Sequence, residues 1–215
     1  MMADDEGRGR ARFGRGALMR LASELVIVFV GVYGAFWVER FRQEVEDRER
    51  ATTILEALAR EIGGINTEGP YVRDAMAAAL AEFDSATARG LHPPPAYYRE
   101  PAAETPSISV WQATVASGGV NLLDPNLFFT LAAFYNRVES FSRRYLRYNE
   151  VTERDLLPRL SQGAEAFYDP HSGELDPTME VHLDQLRTLL LEADQILERA
   201  DSLEALVRAE AERFR

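Results

Sequence analysis

His92, His171 and His182 are the only imidazoles in a chain of 215 residues, and no two stand at the i, i+4 spacing that lets one helix face hold a metal. The run Asp169-Pro-His171-Ser-Gly-Glu174-Leu-Asp176 gathers three acids and a histidine. A calcium or zinc site there competes with a plainer reading, a solvated polar loop in which Asp176 caps the next helix. Ser117 beside Gly118-Gly119 suggests a nucleophile at a glycine turn. Its flanks are helical in pattern and no histidine is near in sequence, so the glycines read better as a helix C-cap. There is no cysteine, which excludes disulfides, thiol catalysis, iron–sulfur ligation and every cysteine-based zinc site. All 24 basic residues are arginine, so neither a Schiff-base lysine nor a P-loop lysine exists. None of the nucleotide-binding or nucleophile-elbow glycine motifs occurs, and no two acids stand out as an acid–base pair. No catalytic residue, metal ligand or cofactor is therefore expected, and the chain does not read as an enzyme. Arg143, Arg144 and Arg147, near Tyr145 and Tyr148, form a basic patch that could receive a small anion or a lipid head group. Pairing with acids on neighbouring helices is the simpler role for them.

Charge narrows the partners. The net charge is −11, which argues against nucleic acid, since that partner needs a clustered basic face. The distribution is uneven: residues 1–42 hold seven arginines and five acids, the rest 17 arginines and 30 acids.

The apolar stretch 18–38, LMRLASELVIVFVGVYGAFWV, carries the most informative constellation. As a helix its 21 residues would extend roughly 31 Å, close to the hydrocarbon thickness of a bilayer. Its wholly uncharged part, 25–38, is shorter, so Arg20 and Glu24 must lie near one interface, with Phe36 and Trp37 at the other. A buried core helix, a cleaved signal peptide and an interfacial helix compete with a single membrane span. The interfacial helix is disfavoured because 26–38 is apolar on every side, and a single membrane span is the preferred reading. Glu24, Gly31 and Ala35 fall on one face, and Gly31-x-x-x-Ala35 is a pair of small residues that admits a second helix closely. That face predicts packing in the membrane, on a second copy or on another membrane protein. Five arginines precede the span and four follow closely, which favours a cytoplasmic N-terminus.

These residues need helices to position them. Residues 1–17, Gly/Arg-rich at the start, read as a disordered tail. Beyond the span the helix has no breaker until Gly63-Gly64, and positions 38, 41, 45, 48, 52, 55, 59 and 62 form a mostly apolar seam. The glycines predict its end, with GGINTEGP as a loop and a second helix over 71–88 carrying Val72, Met76, Leu80 and Phe83. Five prolines then make 89–107 a long loop. A short helix over about 108–116 follows, then two helices opened by Asp124-Pro125 and Asp176-Pro177. The first of these runs to about Pro158 or beyond; the second buries 183, 186, 190, 193, 197, 200, 203 and 207. No segment reads as a strand. The expected fold is all-α: a disordered tail (1–17), a transmembrane helix (18–38), and an antiparallel helical bundle (39–215).

Ser23-Glu24, Gly31 and Ala35 resemble a widespread family of uncharacterised bacterial single-pass membrane proteins. The membrane helix of that family reads G-E, six apolar residues, G, three apolar residues and A-L-Q, then an Asn-rich turn ending in Trp. This chain departs afterwards, with Trp37 for Gln, Glu39-Arg40 for the asparagines and Phe41 for Trp. Ser117-Gly118, Leu122-Leu123-Asp124, Leu127, Leu131 and Phe134-Tyr135 are similar to the family's S-G turn and the helix after it. The resemblance covers about a quarter of the chain and implies an N-terminal anchor in the bacterial inner membrane with a helical domain beyond it; it supplies no activity. The function expected is thus a membrane-anchored, self-associating interaction or scaffold protein, with its helical domain on the periplasmic side. A membrane-anchored sensor that binds a small anionic ligand at Arg143, Arg144 and Arg147 is the alternative.

Overall fold

The computed structural model describes residues 13–99 and 106–214, and the protein is all-helical over them. Helix α1 spans Phe13–Ala88, α2 Ser109–Ala116, α3 Pro125–Val151, α4 Leu157–Leu160 and α5 Pro177–Phe214. Among the described residues there is no strand, only an isolated bridge between Tyr168 and Leu175. The chain divides into two compact units, Met1–Glu49 and Arg50–Arg215, and α1 contributes to both.

In the first unit, residues 1–12 of the expected tail lie outside the described residues, and 13–17 are helical. Adding a turn to an existing helix needs no new nucleus. Large apolar side chains from Leu25 to Val38 are exposed, Leu25 at 62%, Phe36 at 71% and Trp37 at 78%. Phe29 and Tyr33 stack one turn apart, centroids 5.7 Å apart. Beyond them the surface turns ionic: Arg42 reaches Glu39 at 2.8 Å and Glu46 at 3.0 Å. Among the described residues no helix is long and apolar enough to cross a membrane. The uncharged stretch of α1, between Glu24 and Glu39, is roughly 21 Å long, short of a hydrocarbon core of about 30 Å.

In the second unit three long helices share one core. Leu55, Leu58 and Ile62 of α1, Leu131, Tyr135 and Val138 of α3, and Leu186, Ala200 and Val207 of α5 are all buried to 1% exposure or less. Contacts set the directions. Gly63 lies against Glu204, Gly69 against Leu197, Arg73 against Asp194 and Asp84 against Arg187, so the second half of α1 runs antiparallel to α5. Arg144–Glu192 and Tyr148–His182 set α3 antiparallel to α5 as well. It follows that α1 and α3 are parallel, which corrects the wholly antiparallel bundle expected from sequence. A parallel pair needs a connection that returns the length of the bundle, and residues 89–124 supply it. His92 stacks on Tyr168 at 4.6 Å, the Tyr98 N–H donates to the Tyr148 hydroxyl at 3.2 Å, and Ser107 reaches Glu61 at 3.4 Å.

A second correction concerns Gly63-Gly64. The helix does not end there; it continues through Gly69 and Pro70 to Ala88, so the expected loop GGINTEGP is helical. Glycine and proline inside a helix cost about 1 and about 3 kcal/mol. Packing on α5 outweighs that local penalty. A Cβ on Gly69 would sit 2.6 Å from Leu197 and one on Gly63 3.1 Å from Glu204, so the glycines are where α5 approaches most closely. Asn66 donates to Glu204 at 2.8 Å and Arg73 pairs with Asp194 at 3.4 Å, clamping the helix on either side of Pro70.

The two Asp-Pro starts form as expected. Asp124 accepts from the N–H groups of Asn126 and Leu127 at 2.8 and 3.2 Å. Asp176 accepts from Thr178 N–H at 2.8 Å and from Arg159 at 3.1 Å; burial opposes its charge, but these bonds hold its pKa below the usual carboxylate range. Pro158 cannot donate to the carbonyl four residues back, and the chain absorbs this with a π-helical turn, Thr152–Leu156, before α4. A small satellite core of Leu156, Phe167 and Met179 closes this end of the unit, with the Arg159 guanidinium 5.0 Å above the Phe167 ring.

Candidate functional site

A groove of about 920 Å³ opens in the second unit, bordered by α1, the returning connection, α3 and α5. Along α1 it follows Ala57, Glu61, Gly64 and Glu68, residues four, three and four apart that share one face. Its floor is apolar: Ile65 from α1, Val138, Phe141 and Tyr145 from α3, and Ala193 and Ile196 from α5 are all buried. Phe141 and Tyr145 stack nearly parallel, centroids 6.2 Å apart, and Tyr98 closes over Tyr145 at 6.0 Å. The backbone bond from Tyr98 to Tyr148 fixes that flap to α3.

One end of the groove is a built polar corner. Glu61 accepts from the N–H of Val110 at 2.8 Å and from the N–H of Trp111 at 3.2 Å, with Ser107 at 3.4 Å. Ile108, the residue before α2, gives no side-chain cap and Ser107 accepts only the Ser109 N–H at 3.4 Å, so Glu61 serves the next two N–H groups from a distant helix, where a carboxylate also meets the positive end of the helix dipole. Tyr135 lies buried beneath; burial, then the Glu61 charge, push its hydroxyl pKa well above the ordinary tyrosine value. Trp111 stacks on Tyr135 at 5.0 Å and 5°, locking α2 to α3. Glu61→Gln leaves one of the two N–H groups without an acceptor and is expected to cost about 1 kcal/mol in urea unfolding.

The residues singled out from sequence fall elsewhere. Glu24, Gly31 and Ala35 are exposed on the first unit, and a Cβ on Gly31 would meet nothing within 4 Å. Arg143 pairs with Glu139 at 2.9 Å and Arg144 with Glu192 at 3.0 Å; Arg147 is exposed on the same helix. The basic patch is thus partly neutralised by acids on α3 and α5. Ser117 donates to the Thr114 carbonyl at 3.2 Å, and Gly118 with φ 74° provides the left-handed turn that ends α2. Asp169 accepts from the N–H groups of His171 and Ser172 at 2.7 and 2.9 Å, an Asx turn. Among the described residues no group of three or more histidines and acids is placed to hold a metal ion.

His182 is a buried polar residue, at 1% exposure. It stacks on Tyr148 at 4.3 Å and 9°, its Nε2 lies 3.3 Å from the Thr152 hydroxyl, and its Nδ1 has no partner. Burial lowers its pKa from 6.5 to about 4, against a smaller opposing pull from Asp155. At neutral pH it is an uncharged ring in the core.

Glu61 and Tyr98 went unnoticed in sequence, and Tyr145 was noted only beside the arginine patch, because the groove draws on four separated segments and matches no motif. Compared with protein-family models, with curated proteins and with solved structures, the chain matches none.

Proposed function

We propose that this protein is a membrane-anchored helical interaction protein, non-enzymatic, whose first unit holds it to a bilayer and whose second unit is the working module. The observation that carries this reading is the run of exposed apolar side chains from Leu25 to Val38 on every side of α1. Left in water, that surface exceeds what soluble domains tolerate, and an all-round apolar helix suits lipid tails better than a single protein groove. Its uncharged length falls short of a full hydrocarbon core, so the anchor relies on Arg20 and Glu24 lying at one interface and on bilayer adjustment. Glu24, Gly31 and Ala35 are the face we assign to helix packing, with a second copy as the partner. The resemblance carried by those residues and the arginine balance around the stretch agree with a bacterial inner membrane and a periplasmic second unit.

The test is fractionation of the full chain produced in a bacterium. Wild type is expected in the membrane pellet, resistant to a carbonate wash and released by non-ionic detergent. Two charges in the uncharged stretch, Val28→Arg with Val32→Arg, are expected to move most of the protein to the supernatant. Wild type found monodisperse in the detergent-free supernatant would overturn the reading.

A further inference from the structure

We infer that the groove along α1 is a binding site for an amphipathic monocation, an organic ammonium whose apolar part lies on the groove floor and whose charge sits between tyrosine rings and Glu68. Size comes first: about 920 Å³ is the volume of a small-molecule site, and its floor is the apolar kind that such sites share. Charge decides the class. Among the described residues the lining holds two carboxylates, Glu61 and Glu68, against one guanidinium, Arg60. Arg60 lies at the lining with its Nε donating to the Glu56 carbonyl one turn back at 3.3 Å. Glu61 spends its oxygens on the α2 N–H groups, so Glu68, exposed on the same face of α1, is the carboxylate left to meet a ligand.

Three tyrosines add to this. Tyr71, Tyr98 and Tyr145 all line the groove, and Tyr98 and Tyr145 stand 6.0 Å apart at 37° to one another. Faces of aromatic rings attract cations, most strongly weakly hydrated ones such as quaternary ammonium, where water is partly excluded. An anionic ligand would meet the opposite field, since the carboxylates outnumber the guanidinium. The site is distinct from the Arg143 and Arg144 patch and independent of how the protein is anchored.

Gly64 provides a direct test. It lies exposed on the groove face, a Cβ there meets nothing within 4 Å, and it sits inside a helix. Gly64→Phe therefore has room at its Cβ to project a ring from the groove face, and it removes a glycine from a helix interior, which favours the fold. Titration calorimetry on the full chain in a maltoside detergent would use phenyltrimethylammonium, its neutral isostere tert-butylbenzene, and benzoate. The expected result is saturable binding of phenyltrimethylammonium, at least tenfold weaker binding of the neutral isostere, and none of benzoate. Glu68→Gln should weaken the ammonium three- to tenfold, and Gly64→Phe should abolish it with an unchanged or higher Tm. Equal binding of cation and neutral isostere would overturn the proposal. So would a preference for benzoate, undiminished binding to Gly64→Phe, or absence of heat with all three probes.

Discussion

Replacing Tyr148 by alanine is expected to destabilise the protein by about 4 kcal/mol, measured by urea unfolding of the full chain in a mild detergent. The ring is 1% exposed and packs face to face with His182. Its removal opens a cavity the size of an aromatic side chain in a core that three helices define. Its hydroxyl also accepts from the N–H of Tyr98, so the returning connection loses its tie to α3. That hydroxyl stays protonated, its pKa pushed up to about 12, by burial first and against the pull of its hydrogen bonds. Tyr148→Phe separates the two contributions: it keeps the stack, forfeits the hydroxyl's hydrogen bonds, the one from Tyr98 N–H among them, and should cost about 1 kcal/mol. A loss in Tyr148→Ala no larger than in Tyr148→Phe would show that the stack contributes nothing.

The second large effect is acid sensitivity. His182 has its folded pKa lowered from 6.5 to about 4, so between those values the unfolded chain binds a proton that the folded one refuses. Stability from this group is complete above pH 6.5, drains away as pH falls toward 4, and changes no further below. Discounted for solvent screening, the loss is on the order of 2 kcal/mol. The carboxylates held low by hydrogen bonds, Asp176 by Thr178 and Arg159, Glu204 by Arg208 and Asn66, lose their contribution only as pH falls through the ordinary carboxylate values of 3.8 and 4.5, at the bottom of that range. Urea midpoints measured from pH 7 to 4.5 should thus fall in the wild type and stay nearly flat in His182→Phe. Parallel slopes in the two proteins would refute the assignment.

How much of this was legible depended on whether a signal was local. Asp124 and Asp176 cap their own helices from one residue before a proline, and both starts were readable because every partner lies within three residues. Most of the buried face of α5 was readable for the same reason: Leu183, Leu186, Ala193, Ala200, Leu203 and Val207 repeat at helical spacing and are buried, whereas the expected Leu190 and Leu197 are half-buried and Leu189 and Ile196 are buried beside them. Gly63-Gly64 misled because the group that Gly63 lies against, Glu204, is far along the chain on α5, and no rule on neighbouring residues registers a distant helix. Pro158 was tolerated by a turn type that has no sequence signature. The apolar seam expected from 38 to 62 is buried only in its later part, at Leu55, Ala59 and Ile62, whereas Phe41 is 65% exposed. Periodicity says which residues align, not what covers them. The groove is the extreme case, since Glu61 is one acid among 35 until α2 is laid against it.

Because α1 and α3 point the same way and both lean on α5, α1 cannot bury its apolar stripe in a simple hairpin with the long helix that follows it. On the ribosome, Leu55, Leu58 and Ile62 emerge long before their cover, and they wait through more than a hundred residues for it. Nascent chains of this topology therefore carry a greasy, unshielded rod for most of their synthesis, a natural target for holding chaperones. Interrupting translation inside α5 would leave a product that cannot close.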